Sequence, residues 1–89
     1  MAYVWDEAKR QSNLQKHKLD FADAHLLFEG ITFTFEDERF DYDEPRYVTI
    51  GQLKIIVVVV VHTDRNGDIR IISMRKASRY EQKLYRESF

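Results

Sequence analysis

His62, Arg65, Arg70, Arg75 and Lys76 fall within one short stretch near the end of the chain. Together they are the groups that cleavage of an RNA phosphodiester without a metal would need. That reaction requires a proton to leave the 2′-hydroxyl, charge to be stabilised on a pentavalent phosphate, and a proton to reach the departing 5′-oxygen. An ordinary imidazole titrates near pH 6.5, so His62 can serve as acid or base. Arg75 and Arg70 can grip a phosphate bidentately, with Arg65 or Lys76 adding to the positive field. A plainer role competes with this one. A histidine closing an apolar strand also serves as a packing or capping residue, and hairpin arginines are often simply solvated.

These groups need a scaffold, and the surrounding residues specify one. The apolar run Ile55–Val61 leads into His62, and Asn66-Gly67 is a strong two-residue hairpin signal because both residues tolerate positive φ. With that turn, Arg65 opposes Asp68, and pairing continues outward in the same register. Directly opposed residues share a face of the sheet. One face then carries Ile55, Val57, Val59, Val61, Thr63 and Arg65 with Arg70, Ile72 and Met74. The other carries Ile56, Val58, Val60 and His62 with Ile69, Ile71, Ser73 and Arg75. On this reading His62, Ser73 and Arg75 form a working face over an apolar floor, and a slip of one residue would reverse half the assignments.

The remaining elements follow from periodicity and caps. Tyr3-Val4-Trp5 is a short β-prone start, and Asp6 caps a polar helix over about 7–17 anchored by Ala8 and Leu14. Its Lys9, Arg10, Lys16, His17 and Lys18 make a second basic patch, from which Lys16 is a further candidate for holding substrate. Asp20 caps a second helix with Phe21, Ala24, Leu27 and Phe28 on one face, stopped at Gly30. From Ile31 the period changes to the alternation of a half-buried strand. Tyr47 to Gly51 and Lys54 to His62 are further strands, and Ile69 to Arg75 pairs back across the turn. Ser78-Arg79-Tyr80-Glu81 reads as a capping box opening a last helix with Tyr80, Leu84 and Tyr85 on or near its buried side. The expected class is α+β, in the order β-α-α-β-β-β-β-α, an antiparallel sheet with helices packed on it. Helices on one face are the economical packing, although the Val-rich strand calls for cover on both sides.

Bulk composition narrows the function classes. The 89 residues make a single domain, 1–89, with a small core. There is no cysteine, which rules out disulfides and thiolate metal sites and fits a cytoplasmic location. The three histidines form no metal-ligand spacing, no glycine-rich phosphate loop occurs, and the expected cofactor and metal content is none. No apolar run reaches the roughly 20 residues of a membrane span, and no signal peptide opens the chain. The formal net charge of -1 conceals a segregation: residues 36–44 hold six acids and one base, and the rest of the chain is left with 13 bases against 9 acids. A polyanionic partner therefore remains compatible with the total. The acidic run reads as a solvated connection.

Several of these residues also carry a family resemblance. Trp5-Asp6-x-x-Lys9, Asn13-Leu14-x-Lys16-His17, Phe21-x-Asp23-Ala24, the strand end Val-Val-His62-Thr63-x-Arg65 and Arg70-Ile71-Ile72-Ser73-x-Arg75-Lys76-Ala77-Ser78-x-x-Glu81 resemble the BrnT toxins. The resemblance runs over nearly the whole chain. It implies a RelE-like fold and a growth-arresting ribonuclease of a type II toxin–antitoxin pair. The implied partners are an RNA substrate and a BrnA-like ribbon-helix-helix antitoxin, in a heterotetramer that binds operator DNA through the antitoxin. By position, the resemblance makes His62, Arg65, Arg70 and Arg75 the candidates for the active surface. Met74 stands where that pattern often has alanine. The alternative function is a non-catalytic module that binds antitoxin or nucleic acid and acts as a co-repressor.

Overall fold

The computed structural model describes residues 2–39 and 43–89; Asp41, one of the six acids of the 36–44 run, lies outside them. The elements are β1 (Tyr3–Val4), α1 (Glu7–His17), a 3₁₀ turn (Phe21–Asp23), α2 (Ala24–Phe28), β2 (Thr32–Glu36), β3 (Tyr47–Leu53), β4 (Ile56–Arg65), β5 (Asp68–Lys76) and α3 (Arg79–Glu87). Among the described residues the five strands form one sheet in the order β1-β5-β4-β3-β2. The α+β class and the order of elements are as the sequence predicts. One difference is that β1 pairs parallel to β5, through Tyr3 with Ile69 and Val4 with Arg70, so the sheet is mixed.

Helices cover both faces. On one face, Leu19, Phe21, Ala24 and Leu27 pack on Val58, Val60, Ile69, Ile71 and Met74, with Tyr3, Trp5 and Phe28 at the margin. On the other, Leu84 and Tyr85 of α3 lie with Val57, Val61 and Phe33 against Val48, Ile50 and Val59. This is why β4 is almost continuously apolar: alternate valines feed two separate cores. Gly51 is required where α2 meets the sheet, because a Cβ there would stand 2.8 Å from Leu27 Cγ.

The caps behave as predicted. Asp6 Oδ1 accepts from the backbone of Ala8 and Lys9, and Ser78 and Glu81 satisfy one another's backbone N–H groups. Asp20 caps the 3₁₀ turn rather than a regular helix, and α2 itself is a single short segment. The apolar anchors differ from expectation. Ala8 and Tyr80 are exposed, whereas the polar Asn13 is buried. Asn13 accepts from the Met74 N–H and donates to the Leu19 carbonyl, so its amide closes the outer edge of β5 beyond the short reach of β1. Among the described residues no helix is long and apolar enough to cross a membrane.

Candidate active surface

The turn predicted at Asn66-Gly67 is present, with φ of 55° and 85° at the two residues. It sets the predicted register for four pairs, Arg65 with Asp68 through His62 with Ile71. Between Val61 and His62 the register shifts, so that Val61 opposes Ser73 and Val59 opposes Arg75, and Ile72 has no opposing residue. This β-bulge exchanges the faces of everything beyond it. Ser73 and Arg75 do not share a face with His62. They join Thr63, Arg65 and Arg70 on the α3 side, while Met74 joins His62 on the α1 and α2 side. The physical reason is solvation. In the unbulged register the Arg75 guanidinium would lie beneath α1 and α2, a buried charge without compensation, and Met74 would leave the core.

His62 is a core residue, 6% exposed. Its ring lies edge-on to Phe28 at 5.1 Å and stacks on Tyr47 at 5.9 Å. Nε2 is 2.7 Å from Thr49 Oγ1, which is itself 2.7 Å from Thr34 Oγ1. Nδ1 is buried without a hydrogen-bond partner. Burial pushes the imidazole below its ordinary pKa, opposed in part by the charge of Asp64. Burial thus favours the neutral form of a ring packed among aromatic side chains.

Arg75 is half-exposed on the other face, and its guanidinium donates to both carboxylate oxygens of Glu81, at 2.7 and 2.8 Å. Glu81 Oε1 also accepts from the Ser78 N–H at 2.9 Å, so one carboxylate fixes both the start of α3 and the arginine. The Arg75 hydrogen bonds, joined by the Ser78 N–H and opposed by burial, hold the Glu81 carboxyl down to about 2. The guanidinium is raised in turn by Glu81, against burial and the nearby charge of Arg39. Arg39 donates to Asp37 at 2.9 and 3.0 Å. Phe35, Glu36, Asp37, Glu38, Arg39, Val48, Val61, Arg75 and Glu81 line a cleft of about 190 Å³.

The other candidates divide between the faces. Arg65, at the turn end, pairs with Glu44 at 2.9 Å, and both side chains are well exposed. Thr63 donates to the Pro45 carbonyl at 2.6 Å, which ties the end of the acidic connection to the same strand. Arg70 and Ser73 are half-buried on the Arg75 face. Lys76 opposes Val58 and so belongs to the His62 side, at the exposed strand end. Lys16 is exposed on α1, across the sheet from Arg75. The cleft thus contains two residues, Glu81 as an ion-pair partner and Arg39, that sequence reasoning did not select. In the sequence Glu81 was visible as a cap and as the last residue of the family motif, not as the partner of Arg75.

The model of the family described as ribonuclease toxin, BrnT, of type II toxin-antitoxin systems matches residues 5–81. The chain belongs to the BrnT family. Comparison with curated proteins finds no match. The matched region holds every strand of the sheet except the short β1, together with the whole Arg75–Glu81 cleft. A ribonuclease toxin of a type II system acts on RNA and is paired with an antitoxin, and the BrnT family places this chain in that class.

Proposed function

We propose that this BrnT-family chain cleaves RNA by metal-independent transphosphorylation on the α3 face of its sheet. The observation that carries this reading is the bulge after Ile71, which gathers Arg65, Arg70 and Arg75 on one face with Ser73. Arg75 supplies bidentate hydrogen bonds to the non-bridging oxygens of the scissile phosphate, where negative charge grows in the pentavalent state. Arg65 and Arg70 hold flanking phosphates and Ser73 supplements them from the same face, while Lys76, on the opposite face at the strand end, adds only to the general positive field.

When the phosphate engages Arg75, Glu81 loses its strongest partner and its carboxylate becomes more basic. It then accepts the 2′-hydroxyl proton as the 2′-oxygen bonds to phosphorus. The P–O5′ bond breaks, and Glu81 returns the proton to the leaving 5′-oxygen. The products are a 2′,3′-cyclic phosphate and a 5′-hydroxyl. His62 contributes from the core, as a neutral ring that fixes β4 against Phe28 and β3; in this proposal it is a positioning residue. The partner is a BrnA-like ribbon-helix-helix antitoxin, bound as a heterotetramer that reaches operator DNA through the antitoxin, and the site of action is the cytoplasm.

The purified chain incubated with RNA in chelator tests this. Wild type should cut RNA in chelator, and Arg75→Ala should reduce cleavage by roughly 10²- to 10³-fold, the scale of losing one preorganised transition-state donor. Cleavage that requires added metal, or that survives Arg75→Ala unchanged, overturns the proposal. A second reading, a non-catalytic co-repressor, is favoured by one observation: Arg75 and Arg65 both already have carboxylate partners. It would be supported by a folded wild type that leaves RNA intact.

A further inference from the structure

β2 is the last strand of the sheet, and among the described residues nothing pairs with its outer edge. The edge lacks the usual protections, since Thr32-Phe33-Thr34-Phe35-Glu36 contains no proline or lysine and its ladder with β3 has no bulge. Its polarity can be worked out. The Asp37 N–H donates to the Arg46 carbonyl at 2.7 Å, extending the register in which Glu36 opposes Tyr47. Hydrogen-bonded and non-bonded pairs alternate in an antiparallel ladder, so Phe35 and Phe33 also turn their backbone groups towards β3. Thr32, Thr34 and Glu36 turn theirs outward.

Beside this edge lies an apolar patch. Phe33 and Phe35 lie with ring centroids 5.6 Å apart, and Phe35 is 40% exposed. Ile31 and Phe89 are 66% and 65% exposed, joined through Tyr85, whose hydroxyl donates to the Ile31 carbonyl and whose ring meets Phe89 at 5.1 Å.

We propose that β2 pairs antiparallel with β2 of a second copy of this chain, about a two-fold axis at Thr34. The strand is self-complementary in that register. The outward residues pair as Thr34 with Thr34 and Thr32 with Glu36, each exchanging both backbone hydrogen bonds. Phe33 of one copy opposes Phe35 of the other, in the non-bonded positions where side chains approach most closely. No like charges are directly opposed. The two Glu36 residues sit at opposite ends of the ladder, about 13 Å apart along the strands, beyond the Debye length of ~8 Å at physiological salt.

Sedimentation of the purified chain over a range of concentrations tests this, with circular dichroism verifying the fold of each variant. Wild type should show a concentration-dependent dimer. Thr32→Glu would set a second carboxylate directly opposite Glu36 at both ends of the ladder and weaken association. Thr32→Lys would instead create two opposite-charge pairs and strengthen it. Each change should amount to roughly tenfold in dissociation constant, the scale of two cross-strand pairs. Adding Glu36→Lys to Thr32→Glu should restore association. The proposal is overturned if wild type is a monomer at every concentration, if both Thr32 substitutions act in the same direction or not at all, or if the double variant stays weakened.

Discussion

Glu81→Gln is the most discriminating substitution for the geometry of the α3 face. Glutamine preserves the shape of the capping box and can still accept from the Ser78 N–H, so the start of α3 survives. The charge that pairs with Arg75 is removed. The Glu81 carboxyl is held down from an ordinary 4.5 to about 2. At 1.36 kcal/mol per unit, that difference corresponds to about 3 kcal/mol of stabilisation at neutral pH. Arg75 remains 43% exposed, so water screens part of the interaction, and about 1.5 kcal/mol is the better expectation for the variant. For a domain of this size such a loss lowers the melting temperature by roughly 6–12 °C. The sign of the pH dependence follows from the depressed pKa. The contribution is fully present above the unfolded value of 4.5 and disappears as pH falls towards 2. Urea unfolding of wild type and variant at pH 7 and pH 3 should therefore show a gap that narrows in acid. A gap that is the same at both pH values, or below about 0.5 kcal/mol at neutral pH, would refute the account of a charge-locked carboxylate.

Three further outcomes are expected. Gly51→Ala should destabilise the fold by about 1–3 kcal/mol through overpacking on Leu27. Because Leu27→Ala itself costs about 2–5 kcal/mol, the double variant should lose less than the sum of the two single losses in denaturant titrations. Burial lowers the His62 pKa, so wild-type stability should fall as pH drops below about 6.5, where the unfolded chain takes up a proton that the folded core resists; His62→Leu should remove that slope, and an unchanged slope would point to another group. Lys18 ends α1 with φ of 61°, and Lys18→Gly should stabilise by about 0.5–1 kcal/mol, read as a rise in the urea midpoint.

The sequence carried the elements and both good caps, and it carried the hairpin turn. It misled about the faces, because period-2 alternation projects a register only as far as the ladder stays regular. A trace of the bulge is nonetheless present. The buried residues of β5 are Ile69, Ile71 and Met74, so their spacing changes from two to three beside the adjacent pair Ile71-Ile72. The buried role of Asn13 had no such signal. On a polar helix, an amide that closes a strand edge has the same composition as one that meets water. Glu81 was legible as a cap, but its reach back to Arg75 depends on the angle between β5 and α3, which a linear pattern does not encode. The sequence left the packing role of His62 as an open alternative, and the structure places the residue in the core.

The bulge also gives the hairpin two independently adjustable halves. From Asn66-Gly67 to His62 and Ile71, phase is dictated by the turn; beyond Ile72 it is dictated by the demands of Met74 and Arg75. Removing the unpaired Ile72 would make the ladder regular with its partners unchanged, Val61 still opposing Ser73 and Val59 still opposing Arg75. Flattening the bulge at unchanged chain length would instead move the guanidinium of Arg75 from one surface of the sheet to the other without altering any side chain. In comparing relatives of this chain, a one-residue gap at that point leaves the aligned arginine on the same surface, whereas an ungapped relative with a regular ladder delivers its charge to the other.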